Sequence, residues 1–348
     1  MLTHTTTNSY ITDRFSFLRL VEAYRQYAYA DVKGIATIGI GFNMNLNDAP
    51  HQTKVLQLFG FDLDRNLRAQ GAIQADAAEQ EYIARIRAAL NKVYAKNDTA
   101  ALQSSLRQIM TERFENQIYP PDFSRRREFK FIGSQPDGAD EAKSIFDQLM
   151  AGYPGFTGYE PILDNWLNLQ RPYGSSGELV SIAQRQPALL NKDSRERLAL
   201  ISMAWQGFIN ARRGRPVGQT NLARALVNDD RAEAWYEIRY TKFITVEQNG
   251  VKVKVYEARN LLEADTFGLY EPGYGLTMRD VDAKGALRTY TRHQKEIDAR
   301  EQEYLSSGKY VTAKDWGTRD KLNISVDTLT DHLEPARLYL IDKYVDQP

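Results

Sequence analysis

The fold turns on residues Glu22 to Gly41, EAYRQYAYADVKGIATIGIG. Just upstream, Phe17, Leu18, Val21 and Tyr24 recur at helical spacing. They predict a helix from about Asp13 to Tyr27, capped by Thr12 or Asp13. Residues 32–44, VKGIATIGIGFNM, are rich in isoleucine and punctuated by Gly34, Gly39 and Gly41. That pattern predicts a small twisted hairpin or three-stranded sheet with tight turns. Helix gives way to sheet, and Glu22, Asp31 and Thr37 lie close to the join.

Outward from that stretch the chain reads as mainly helical. Residues 75–94 (ADAAEQEYIARIRAALNKVY) repeat apolar positions at three and four, the mark of an amphipathic helix, here read as a link between two lobes. Residues 97–193 hold further helical patterns, LQSSLRQIMTERF and EAKSIFDQLMAGY, without a chemical signature. RERLALISMAWQGF (195–208) is strongly apolar and, with QTNLARALVND and AEAWYEIRY, forms the expected core of a second lobe. A hairpin is expected over 243–256, where Asn249-Gly250 suits a type I′ turn between alternating valines. Thr277 and Asp280 form a candidate capping box for a helix reaching about Leu305, and the tail to Pro348 reads as a helical appendage. The expected organisation is α+β: a first lobe with its helix over 8–96, a mainly helical insertion over 97–193, a helical lobe with the hairpin over 194–275, and a helical extension over 276–348.

Composition removes several function classes. Lys+Arg and Asp+Glu both number 45 in 348 residues, so no global field draws the chain to nucleic acid. The absence of cysteine excludes disulfides, a thiolate nucleophile and cysteine-held zinc. No run approaches the roughly 18 apolar residues of a membrane span. The first residues, MLTHTTTNSYITDRF, lack the basic-then-apolar pattern of a signal peptide, so work outside the cytoplasm would require another carrier. His4, His51, His293 and His332 have no metal-ligand spacing. Asp62, Asp64 and Asn66 imitate the start of a calcium loop, but Leu67 and Ile73 stand where glycine and a bidentate glutamate are required. Gly174-Ser-Ser-Gly177 lacks nucleophile-elbow spacing, and the basic clusters Arg125–Arg127 and Arg212, Arg213 and Arg215 read as solvated or salt-bridged faces. No metal or cofactor is expected.

Glu22, Asp31 and Thr37 near the join are compatible with the chemistry of paired carboxylates. Glycoside hydrolysis requires one carboxylic acid to protonate the leaving oxygen and a second carboxylate to activate water or attack the sugar. Glu22, near a helix end among Leu20, Val21 and Tyr24, suits the acid. Asp31, nine residues later at the entry to the glycine-rich sheet, suits the base, and the Thr37 hydroxyl in the next strand suits the holding of a water beside it.

The whole pattern, E-x8-D-x2-G-x2-T-I-G-I-G, resembles the catalytic stretch of phage-type lysozymes, glycoside hydrolase family 24. Its three glycines alone would match by chance about 3 times in 10,000 at average usage. GAIQADAAEQEY (71–82), ALISMAWQGFIN (199–210), QTNLARAL (219–226), AEAWYEIRY and EADTFGLY are similar to further segments of the family, so that the resemblance covers about 8–96 and 194–272. It implies a lysozyme-like fold with a small sheet lobe and a helical lobe. It further implies inverting hydrolysis of the β-1,4 bond between N-acetylmuramic acid and N-acetylglucosamine, with Glu22, Asp31 and Thr37 catalytic. By position it puts Gly41, Phe42, Asn43, Trp205, Gln206, Thr220 and Asn221 along the sugar cleft. The implied partner is peptidoglycan, with a delivery machine or immunity protein beside it, and neither nucleic acid nor membrane insertion. Action would be in the bacterial periplasm or on the wall, after delivery by a holin, phage tail or secretion system. The rival expectations are a non-catalytic wall-binding or tail-structural protein of the same fold, and a lytic transglycosylase.

Overall fold

The computed structural model describes residues 7–22, 24–31, 33–45, 49–61, 77–95, 98–115, 128–168, 170–171, 180–190, 194–209, 220–248, 251–255, 258–270, 279–307 and 327–345. The calcium-like stretch at Asp62, both arginine clusters, Gly174–Gly177, the Asn249-Gly250 turn and Thr277 lie outside them. The described chain is mostly helical, with a small three-stranded antiparallel sheet near the N-terminus, and so is α+β. It divides into a unit over Glu22–Gly158 and a second over Met1–Val21 with Tyr159–Pro348.

The first unit begins where helix α1 (Thr7–Glu22) ends, and strand β1 (Arg25–Ala30) follows at once. The predicted helix therefore stops about five residues earlier than expected. The reason is a period of two in Arg25–Ala30: Ala28 and Ala30 are buried while Arg25 and Tyr27 are exposed, an alternation that suits one face of a sheet. Strands β2 (Ala36–Gly39) and β3 (Phe42–Asn43) complete the order β1-β2-β3. Tyr29 pairs with Thr37 and Thr37 with Asn43, while Ala30 pairs with Ala36 and Ile38 with Phe42. An irregularity between Arg25 and Tyr29 bends β1.

One face of this sheet is thus Ala30, Ala36, Ile38 and Phe42, which enter an aromatic core. Phe131 packs edge-on to Phe42 at 6.2 Å and to Phe59 at 5.7 Å, and Phe59 to Phe129 at 4.6 Å. Each fully buried ring contributes roughly 1.5–3 kcal/mol by leaving water. Helices α2 (Ala49–Leu58), α3 (Ala77–Asn91), α4 (Thr99–Glu115) and α5 (Ala139–Ala151) surround it. The outer edge of β1 is closed from the expected insertion. Phe131 N donates to Gln26 O, Gln26 Nε2 to Phe131 O, and Gln103 Nε2 of α4 to Ala28 O. Helix α3, expected to link two lobes, lies wholly in this unit, fastened to α4 by Arg113 on Glu79 at 2.8 and 3.0 Å.

The second unit contains α6 (Tyr159–Asn168), a small ladder of β4 (Gln170–Arg171) with β5 (Val180–Ser181), and α7 (Ile182–Arg185). Its centre is α8 (Arg195–Trp205), started by Ser194, whose side chain accepts from Arg197 N, and buried at every position from Glu196 to Trp205. Helix α11 (Ala258–Phe267) packs on it, and helices α9 (Asn221–Val227) and α10 (Arg231–Tyr236), with a π-helical turn over Glu237–Thr241, pack on each other. The hairpin is present as β6 (Ile244–Gln248) and β7 (Val251–Val255), Gln248 pairing with Val251. Helix α12 (Asp280–Ser306) starts at Asp280 itself, with Arg279 at the cap position and no side-chain cap bond, and α13 (Leu329–Tyr344) packs along it. The division between units falls inside the expected 97–193 insertion, at Gly158 and Tyr159, so α4 and α5 belong with the sheet and α6 and α7 with the helices.

Candidate functional site

The polar face of the sheet carries the predicted chemistry. In register across the three strands stand Tyr29, Thr37 and Asn43. Directly opposed residues share a face with Cβ atoms about 4.5–5.5 Å apart, so these three side chains form one row. Asp31, two positions beyond Tyr29, lies at the end of the same face.

Asp31 is fixed by the turn that it builds. Its Oδ1 accepts from Lys33 N at 2.7 Å and from Ile35 N at 2.9 Å, while its backbone closes the turn with Ile35 and Gly34. Among the described residues no hydrogen bond falls on Oδ2, so one carboxylate oxygen is locked and the other is available to a ligand. The turn demands glycine at 34: φ is +74°, and a methyl group there would stand 2.0 Å from Tyr94 O.

Glu22 is the last residue of α1 and is half-buried. Its carboxyl lies over Gly41 in the β2–β3 turn, where a methyl group would stand 3.3 Å from both Cδ and Oε2. Gly41, expected along the sugar cleft, is the bare backbone against which the Glu22 carboxyl rests. Thr37 is 6% exposed, and its hydroxyl donates to Ile35 O at 3.2 Å, which leaves the oxygen lone pairs able to accept. Asn43 Oδ1 accepts from Asn45 N at 2.8 Å.

Tyr29 lies in the same row, in a strand where the expected helix ends at about Tyr27 and the expected sheet begins only at residue 32, so that the sequence pattern assigns it no element. Burial, then the Glu22 carboxylate, pushes its phenol up to about 12; Arg25 opposes the rise and Asp31 adds to it. The phenol therefore lies within electrostatic reach of both carboxylates and keeps its proton at neutral pH. Arg25 lies over the Tyr29 ring, its guanidinium carbon 4.4 Å from the centroid. The alternation in RQYAYA was the signal that would have found both.

The other expected sugar contacts have mixed positions. Phe42 is fully buried, edge-on to His51 at 5.9 Å and to Phe131, so it is a core residue rather than the expected sugar contact. Trp205, Gln206, Thr220 and Asn221 belong to the second unit. Trp205 is 7% exposed and packs on Tyr159 with ring centroids 4.9 Å apart. Gln206 caps the C-terminus of α8, and Thr220 caps α9 by accepting from Ala223 N at 3.2 Å. Asn221 is exposed and accepts from Arg224. Among the described residues no group of three or more His, Asp or Glu side chains is arranged to hold a metal, and no helix is long and apolar enough to cross a membrane. No family model, curated protein or solved structure matches the chain.

Proposed function

We propose that the chain is a peptidoglycan muramidase of the phage-lysozyme type, cleaving the β-1,4 bond between N-acetylmuramic acid and N-acetylglucosamine with inversion. The observation that supports this reading is that one small sheet carries Thr37 in register with Tyr29 and Asn43, the Glu22 carboxyl against Gly41 of its β2–β3 turn, and Asp31 in the turn before β2. Glu22 gives its proton to the glycosidic oxygen as the C–O bond breaks. A water held between Thr37 Oγ1 and Asp31 Oδ2 attacks the anomeric carbon from the other side and passes its proton to Asp31. Glu22 is set against the bare backbone of Gly41 at a helix end, and Asp31 is fixed by two backbone N–H groups.

The substrate wall lies outside the cytoplasm of a bacterium, so the reading includes delivery by a holin, a phage tail or a secretion system. Purified wall digested with the protein and resolved by mass should release muropeptides with free reducing ends, and Glu22→Gln should abolish that release without loss of fold. Anhydro products, lighter by one water, would instead identify a transglycosylase. Failure of the wild type to release any fragment would leave wall binding without catalysis.

A further inference from the structure

Arg25 is an exposed cation laid over the Tyr29 ring, and no hydrogen bond or ion pair engages it among the described residues. An exposed arginine ordinarily samples many rotamers, and ordering it costs side-chain entropy. Here the Tyr29 ring under the guanidinium, 4.4 Å away, lowers that cost in advance. The planar fork keeps all its N–H donors for a ligand, because stacking uses only its face. Tyr29 is itself fixed in register opposite Thr37, and Arg25 pairs with Gly39. Tyr29 therefore stands in the row of Thr37 and Asn43 with Arg25 laid over its ring, and neither takes part in the proton transfers assigned above.

A stacked guanidinium with free donors suits a planar anion, above all a carboxylate that it can grip with two parallel hydrogen bonds. The nearby Glu22 and Asp31 charges would repel such an anion, and the cation offsets that local negative field where a charged glycan must approach. We infer that Arg25, laid on Tyr29, is a specificity residue that grips a carboxylate of the glycan substituent next to the scissile bond. The inference rests on the hydrolase reading and adds to it a preference: the enzyme should favour glycan strands that carry free carboxylates over the same strands with those groups amidated.

The test compares two preparations of one purified wall glycan, untreated and with its carboxylates converted to amides, and reads kcat/KM on each. A charge-assisted pair at a half-open site discriminates by about three- to tenfold. Wild type should favour the untreated glycan by that factor, chiefly through KM. Arg25→Gln should remove the preference, as should Tyr29→Leu, which takes away the platform; Tyr29→Phe keeps the ring and should keep the preference whatever its effect on the rate. The ratio between substrates is the readout because damage to folding or to the chemical step lowers both values together. If wild type cleaves neither preparation, the hydrolase reading fails. If it cleaves both and Arg25→Gln leaves the ratio unchanged, the hydrolase reading stands and the role of Arg25 is overturned.

Discussion

Replacing Gly41 with alanine probes the placement of Glu22 without touching its chemistry. Gly41 has φ +82°, where an L side chain costs roughly 1–2 kcal/mol. The added methyl would stand 3.3 Å from Cδ and Oε2 of Glu22 and 3.7 Å from Cγ. Those contacts are tight without being impossible, so the carboxyl must move by a few tenths of an ångström. A displacement of about 1 Å can cost a hundredfold in rate, and on a logarithmic scale a third to a half of that costs about four- to tenfold. Gly39→Ala is the matched control. Its φ of +67° imposes similar strain, but its methyl meets Phe42 ring carbons at 2.7 Å and Phe131 at 3.0 Å, away from Glu22. Overpacking adds about 1–3 kcal/mol there. Urea denaturation should therefore rank Gly39→Ala as the less stable variant. Release of reducing ends at saturating wall substrate, normalised to folded protein, should rank Gly41→Ala as the less active. Equal activity of the two variants per folded molecule would refute the reasoning that Glu22 works from its seat on Gly41.

Thr37→Val preserves shape and removes the hydroxyl, so kcat should fall by about ten- to a hundredfold with KM little changed, and proton NMR of a fresh wild-type digest should show the α-anomer first; initial β-anomer would mean retention and make a carboxylate the nucleophile. Glu301→Leu withdraws one partner from the buried Arg239 and should cost about 3 kcal/mol in urea denaturation while leaving kcat per folded molecule unchanged; a fall in kcat without loss of stability would overturn that assignment.

Periodicity made the long elements legible: α3, α8, the β6–β7 hairpin and α12 fall within a few residues of their expected bounds. The end of α1 was not legible in the same way. Val21 and Tyr24 continue a helical stripe past Glu22, and the competing period of two spans only the six residues of β1. That short window also hid Arg25 and Tyr29, whereas Glu22, Asp31 and Thr37 stood out through the glycines around them. Gly34 and Gly41 each require positive φ next to a close neighbour, so those glycines record local geometry directly. Phe42 illustrates the opposite case. Its position in the motif suggested a ligand contact, but the alternation of the sheet puts it on the face of Ile38, which is the core. Pairings across long sequence separations, such as Gln26 with Phe131, leave no local trace at all.

Arg239 decides how residues 276–348 are to be understood. Its guanidinium is fully buried on the π-helical turn, and burial of an unpaired charge is costly enough that every partner counts. Those partners come from separate elements: Asp265 of α11 at 2.8 Å, the Asp327 carbonyl at 2.8 Å, and Glu301 of α12 at 3.4 Å, with Glu301 also accepting from Tyr240 at 2.9 Å. His332 of α13 approaches the same Asp265 oxygen at 2.9 Å, and Tyr304 of α12 donates to Arg239 O at 2.7 Å. A chain ending near residue 275 would retain Asp265 and the Tyr240 hydroxyl, which accepts from Arg239 Nε at 3.1 Å, but would lose Glu301 and the Asp327 carbonyl. The tail expected as an appendage therefore supplies counter-charge to the interior of the helical unit. Its contribution runs through the stability of that unit, while Glu22, Asp31, Thr37, Tyr29 and Arg25 all stand on the other.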